Sequence, residues 1–142
     1  MEIENKRLIS GLFVVFFRCF MVKIAFASDE NRGLESSLAY HFGRCPYYVF
    51  AEIREGCVNT VETKENPYYG NHVPGAVPQF IAECGAEVMI AGGMGPRALD
   101  LFRRLGIQPI TGVSGKVKDA LNSYLAGLLK GAEPCDDHRS HY

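Results

Sequence analysis

An imidazole, a guanidinium and a thiol stand close together in the sequence, as His41, Arg44 and Cys45 of the stretch HFGRCP at 41–46. Neutral imidazole and thiolate suit iron and iron–sulfur species as ligands, and a guanidinium pairs bidentately with an anionic group. This stretch, called the 41–46 loop below, is therefore a candidate site for an anionic metal–sulfur species. Burial in the core is the alternative for Cys45, since free cysteine is among the most buried residue types.

A glycine-rich stretch at 92–95, which we call the glycine turn, lies between a predicted strand and a predicted helix. Glycines let a ligand approach the backbone, and the free N–H groups at a helix start favour negative charge. The stretch lacks the Gly-Lys-Ser/Thr of a P-loop and the spacing of a dinucleotide fingerprint. We predict an anion-binding turn; a tight turn without a ligand is the alternative. Its candidate binding residues are Gly92, Gly93, Met94 and Gly95, with Arg97 just after them.

Further candidate ligands follow along the chain. His72 stands beside Pro74 and Gly75 on a predicted loop, where an ordinary solvated imidazole is the alternative to a ligand. The segment 131–142 has no periodic pattern and is predicted to be a flexible tail. Such a tail can bind a metal, but it loses conformational entropy when it does so. Its weaker candidate metal ligands are Cys135, His138 and His141.

The hydrophobic pattern predicts the elements that position these residues. Three helices are predicted, the first ending at Gly85, the second between Pro96 and Gly106, and the third over about 116–129. Leu105, Leu125 and Leu128 are among the side chains expected to face the core. The predicted strands cover 22–28, 46–54, 57–65, 87–91 and 107–111.

The order of these elements, β-β-β-α-β-α-β-α, predicts a single three-layer α/β domain. The sheet would be mixed and five-stranded with ribonuclease-H-like topology, and the polar strand 57–65 would lie at an edge. If strand 46–54 is antiparallel to its neighbours, its start shares one sheet edge with the ends of the others. This edge would then gather the 41–46 loop, the loop of His72 and the glycine turn, and open α/β sheets usually bind ligands there.

Composition limits the class of protein. The length of 142 residues predicts one domain, and 47% hydrophobic with 22% charged residues fits a globular core. Fifteen Lys and Arg against sixteen Asp and Glu give a net charge of -1, so no nucleic-acid partner is expected. The five cysteines form no C-x-x-C pair, which favours free thiols in a reducing cytoplasm over disulfides or a zinc knuckle.

The N-terminal segment 1–20 carries a mixed signal. Lys6 and Arg7 precede an apolar run at 12–17, as in a secretory signal peptide, and an A-x-A sequence stands at 25–27. Cleavage there would remove the predicted first strand, and the run is far short of the roughly 20 residues that span a bilayer. We predict that residues 1–20 are an extension before a natural start at Met21, and that the protein is cytoplasmic with no membrane partner.

Three segments together resemble the dinitrogenase iron–molybdenum cofactor biosynthesis family: HFGRCPY at 41–47, PGA at 74–76 and IAGGMGP at 90–96. The resemblance covers about residues 21–130 and implies a ribonuclease-H-like fold. For members linked to nitrogenase, it also implies binding or carrying the iron–molybdenum cofactor or its iron–sulfur precursor. It does not explain residues 1–20 or the tail.

The residues and the resemblance together predict a non-catalytic carrier of an iron–sulfur or iron–molybdenum type cluster. The anionic cluster would rest on the glycine turn, with Arg44 and Arg97 neutralising its charge. The expected metal ligands are His41, Cys45 and His72. Because these ligands are few, the cluster could be received from a donor protein and passed to an acceptor.

Three other functions are also compatible with the sequence. The main alternative is a small-anion or nucleotide sensor that uses the turn at Gly92–Gly95. A nuclease-type enzyme is disfavoured, because two-metal phosphoryl transfer needs several carboxylates and only Asp29 is expected at the right edge. An interaction module that pairs through strand 57–65 is the third, and the oligomeric state is left open.

Overall fold

The computed structural model describes residues 21–129. The predicted extension at 1–20 and the predicted tail at 131–142, with Cys135, His138 and His141, lie outside the described residues. The strands are β1 (Met21–Ser28), β2 (Tyr47–Arg54), β3 (Cys57–Glu65), β4 (Val88–Ile90) and β5 (Gln108–Ile110). The α-helices are α1 (Ala76–Glu83), α2 (Pro96–Arg104) and α3 (Val117–Leu125), and a short 3-10 helix covers Gly33–Glu35.

The strands form one mixed sheet in the order β3-β2-β1-β4-β5. β2 is antiparallel to β1 and β3, whereas β4 and β5 run parallel to β1. Ser28 at the end of β1 therefore pairs with Tyr47 at the start of β2. The predicted α/β class, mixed sheet and element order are confirmed.

The hairpin of β2 and β3 turns through Glu55 and Gly56, which both have positive φ, at 54° and 79°. Two such residues form the type of turn whose twist matches that of the flanking strands. The register then shifts by one residue, because Thr60 faces Glu52 while Val58 faces Ile53. The extra residue makes a β-bulge in β3, which lies at the edge of the sheet as predicted.

Alternating side chains of the strands build a separate core on each face of the sheet. On one face, Tyr48 and Phe50 share a buried cluster with Ile81 of α1 and Phe102 of α2. On the other face, buried strand residues pack against α3. The domain therefore has three layers, with two helices on one face and one on the other.

Three side chains predicted to face the core are exposed instead. α2 ends at Arg104, so Leu105 falls in the turn before Gly106 and is 38% exposed. α3 ends at Leu125, earlier than predicted, and Gly127 lies in the turn that follows, with a φ of 76°. Leu125 and Leu128 are then 39% and 70% exposed, so these predictions were wrong. Within residues 21–129, no helix has the length and apolar character needed to cross a membrane.

Candidate functional site

The segment that leads into the 41–46 loop runs between the ends of β1 and β4 and is hydrogen-bonded to both. The Ala39 N–H donates to the carbonyl of Ala27 at 2.8 Å. On the other side, the N–H groups of Gly92 and Gly93 donate to the carbonyls of Ala39 and Tyr40, at 3.1 and 2.6 Å. The segment that leads into the 41–46 loop is thus joined to the glycine turn by backbone hydrogen bonds.

Gly92 makes this close approach possible. A Cβ atom at this position would lie 2.7 Å from Tyr40 Cα and 3.0 Å from the Tyr40 carbonyl oxygen. Such contacts are too short for real atoms, so only glycine fits. Gly92 therefore serves the packing of two chain segments, and it does not line the cavity described next.

A cavity of about 380 Å³ opens at the edge of the sheet where the carboxyl ends of β1 and β4 lie. Its walls are the 41–46 loop, the loop around His72 with the start of α1, and the glycine turn with the start of α2. Most of the candidate site residues line it. They are His41, Arg44, His72, Gly93, Met94, Gly95 and Arg97.

The charged and titratable groups in this lining are cationic or neutral. His41, Arg44, His72 and Arg97 are all exposed at the mouth, whereas Met94 is only 2% exposed. The described residues that line the cavity include no carboxylate and no thiol. The cavity is therefore suited to an anion.

The first turn of α2 adds to this electrostatic preference. Pro96 occupies the first helical position, and the first N–H to donate within the helix is that of Leu99, which bonds to the Gly95 carbonyl at 3.0 Å. The N–H groups of Arg97 and Ala98 thus have no acceptor within the helix, and both residues line the cavity. The positive end of the helix dipole is directed to the same space.

Cys45 lies outside the cavity lining. It is 2% exposed and belongs to the core cluster on the α1 and α2 face. Its thiol donates to the carbonyl of Tyr47 at 3.2 Å and also contacts that of Phe42 at 3.6 Å. Burial raises the pKa of this thiol to about 11, so it remains protonated at neutral pH.

Asn66 is a buried polar residue beside the site that the sequence patterns did not single out. It follows directly after β3 and is 5% exposed. Its side-chain NH2 donates to the carbonyls of Cys45 at 2.8 Å and Gly43 at 3.3 Å. Its side-chain oxygen accepts from the Tyr68 N–H at 2.9 Å. An Asn before a proline is a turn signal, and this was the available hint.

Within residues 21–129, no three or more His, Cys, Asp and Glu side chains are grouped so that they could hold a metal ion. His41 and His72 are the two imidazoles that line the cavity. The ring of His41 meets that of Tyr40 edge to face, with centroids 4.9 Å apart. Among residues 21–129, the cavity lining thus offers two imidazoles to a metal, together with cationic groups.

The chain matches a protein-family model and has relatives of similar sequence and fold. Residues 21–127 match the family model described as dinitrogenase iron-molybdenum cofactor. The uncharacterized protein MJ0580 of Methanocaldococcus jannaschii is 31% identical over 115 residues, which cover 80% of this chain and 93% of that protein.

Two solved structures have the same architecture. The crystal structure of PH0822 is 37% identical with a TM-score of 0.69, covering 77% of this chain and 95% of its own. The apo form of the orange protein from Desulfovibrio gigas is 24% identical with a TM-score of 0.70, covering 80% and 95%. At that identity the second likeness concerns the fold alone.

Proposed function

Because the chain belongs to the dinitrogenase iron–molybdenum cofactor family, we propose that it is a non-catalytic carrier of a compact, anionic metal–sulfur cluster or cluster precursor. The observation that carries this proposal is the lining of the cavity. It combines two guanidinium groups, two imidazoles and a helix N-terminus, with no carboxylate among its described residues.

The arginines supply the charge that attracts the cargo. Arg44 enters from the 41–46 loop and Arg97 from the first turn of α2, so cations border the cavity from two walls. Guanidinium groups donate several hydrogen bonds in one plane and match anions with more than one acceptor atom. A cluster that carries net negative charge would be neutralised on both sides.

The imidazoles supply direct contacts to the cargo. A neutral imidazole can ligate iron or another transition metal, or donate an N–H to a sulfide. Cys45 is buried and protonated, so we assign it no part in ligation, and the cargo brings its own sulfur. Two exchangeable ligands suit a carrier, because a cluster held by a full set of thiolates would not be handed on.

A small-anion or nucleotide sensor is the second candidate, and the glycine turn bears on it. The N–H groups of Gly92 and Gly93 donate to Ala39 and Tyr40, so they are not available to cradle a phosphate. A cavity of about 380 Å³ is also near the lower end of the range for small-molecule sites. Both observations favour a compact cargo over a nucleotide.

Binding of a defined thiometalate tests the proposal. The apo protein is titrated with tetrathiomolybdate, and loaded with iron and sulfide under anaerobic conditions. Calorimetry and the visible absorption retained after gel filtration measure binding. We expect the double variants Arg44→Gln/Arg97→Gln and His41→Ala/His72→Ala to bind at least about tenfold more weakly.

Arg54→Gln is the matched control for the single variants Arg44→Gln and Arg97→Gln, because Arg54 lies at the far end of β2 and each of the three substitutions removes one positive charge. It should bind as the wild type does. Equal retention of the cargo by both double variants would overturn the assignment of this cavity. Stabilisation by nucleotides, with no binding of either metal–sulfur probe, would favour the sensor instead.

A further inference from the structure

Asn66 is bonded to the backbone on both sides of Arg44. Its side-chain NH2 donates to the carbonyl oxygens of Gly43 and Cys45, the residues that flank Arg44 in the sequence. The backbone N–H of Asn66 donates to the carbonyl of Pro46 at 2.9 Å, which adds a third bond to the same loop. The backbone from which the Arg44 side chain projects is therefore fixed by this one residue.

The two oxygen atoms of Asn66 accept hydrogen bonds from the segment that forms the opposite wall of the cavity. Its side-chain oxygen accepts from the N–H of Tyr68, and its carbonyl accepts from the N–H of Tyr69 at 3.1 Å. The Tyr68 carbonyl then accepts from the N–H of Asn71 at 2.9 Å, one residue before His72. Tyr68 and His72 both line the cavity.

We propose that Asn66 is a positioning residue of the cargo site, which sets the placement of the Arg44 wall relative to the His72 wall. The inference rests on the proposed function, because it concerns the placement of residues that would hold the cargo. The hydrogen bonds from which it is argued lie within the protein. A carboxamide is needed because the side chain must donate to two carbonyls and accept from an N–H. Asn66 touches no cargo and acts through the residues it holds.

A double-mutant cycle tests this role. Asn66→Ala removes the side-chain bonds without changing charge, and Asn66→Ser is a second variant in case the first does not fold. At a temperature where each variant is folded, we expect tetrathiomolybdate affinity to fall by about tenfold. In an Arg44→Gln background the same substitution should lower the affinity by less, about threefold, because the placement of Arg44 no longer matters while the His72 wall is still disturbed.

A variant of the distant core separates positioning from general loss of stability. Val49→Ala removes buried atoms from the α3 face of the sheet and should lower Tm while leaving affinity unchanged. Wild-type affinity in Asn66→Ala, or full additivity with Arg44→Gln, would overturn the inference.

Amide hydrogen exchange in the apo protein gives a readout that does not depend on the cargo. Asn66→Ala should speed exchange in both 43–45 and 68–72, whereas Val49→Ala should not single out these segments. If only one wall or neither responds, the positioning role is wrong even where the cargo binds. If both walls respond but no metal–sulfur probe binds the wild type, the proposed function fails and the positioning role stands.

Discussion

His41 and Gly93 pair in an isolated parallel β-bridge, which joins the 41–46 loop to the glycine turn. The adjoining hydrogen bond, from the Gly93 N–H to the Tyr40 carbonyl, is 2.6 Å long. An imidazole and the start of α2 are thereby brought to one cavity through the backbone alone. The 41–46 loop and the glycine turn are therefore held together by the protein's own backbone and not by a bound molecule.

Gly92→Ala should disturb this junction. The added Cβ would meet the Tyr40 backbone at 2.7 Å, and backbone atoms cannot move aside as a flexible side chain can. We expect the free energy of unfolding to fall by about 1–3 kcal/mol, the usual cost of overpacking. Urea unfolding measures this loss, and weaker tetrathiomolybdate binding should accompany it.

Gly43→Ala is the matched control for that variant. Its Cβ would meet nothing within 4 Å, and its stability should stay within about 0.5 kcal/mol of the wild type. Equal stability of Gly92→Ala and Gly43→Ala would show that the two segments do not pack as described.

The fold could be read from the sequence because its signals are local and strong. β3 begins and ends at the predicted residues, and α2 begins at the predicted Pro96. A positive φ at Gly85 and Gly106 marks the predicted ends of α1 and α2. Periodicity did not reveal where the third helix stops, because Leu125 and Leu128 continue an apolar pattern that no surface of the described residues covers.

The candidate site was only partly predictable, for a different physical reason. The topology correctly brought His41, His72 and the glycine turn to one edge of the sheet. The direction of the Cys45 side chain depends on the core around it, and no spacing rule gives that direction. Asn66 was missed because its side-chain partners are backbone carbonyls and a backbone N–H, which leave no trace in the pattern of side chains.

The buried Cys45 thiol should make stability depend on alkaline pH. Its pKa is raised from 9.0 to about 11 in the folded protein, chiefly by burial. Between these values the unfolded chain releases a proton that the folded protein keeps. Stability is therefore complete below pH 9 and falls as pH rises towards 11, by up to about 3 kcal/mol.

Urea unfolding of the wild type and Cys45→Ala at a series of pH values measures this dependence. Burial also raises the pKa of Tyr48, which contributes in the same direction in both proteins. The variant should therefore retain part of the slope and lose the part due to Cys45. Parallel curves for the two proteins would contradict the buried, protonated thiol.

Alkylation provides an independent measure of the same thiol. Cys57 is exposed at the start of β3, whereas Cys45 is buried. Reaction needs an accessible thiolate, so iodoacetamide at pH 8 should modify Cys57 and leave Cys45 unmodified in the native protein. Peptide mass mapping distinguishes the two sites, and both should react after unfolding in urea. Rapid native labelling of Cys45 would instead place its thiol at the cavity.

Salt should weaken cargo binding if charge attracts the anion. Arg44 and Arg97 are both exposed at the cavity mouth, so dissolved ions screen them. Raising ionic strength from about 0.05 M to about 0.5 M shortens the screening length severalfold, and we expect at least about a threefold loss of tetrathiomolybdate affinity. The Arg44→Gln/Arg97→Gln variant should show a smaller dependence. An identical salt dependence in the two proteins would count against these arginines.

Glu35 should titrate below the usual range of a glutamate. Its carboxylate accepts from Lys118 at 3.0 Å and Lys116 at 3.2 Å, and the bond from Lys118 is the largest cause of its lowered pKa. The stabilisation is present above the ordinary pKa and is lost as pH falls. Titration by NMR should show the midpoint rising in Lys118→Gln but not in the control Lys64→Gln. No difference between them would show that the bond between Lys118 and Glu35 does not persist in solution.

The hydrogen bonds of Gly93 and Asn66 form the walls around the cavity before any guest arrives. A binding site that is already ordered loses little conformational entropy when a ligand binds. The lifetime of a complex with the proposed cargo would then depend on the contacts that the cargo itself makes. A competing protein with more ligands could extract the guest while the donor keeps its shape.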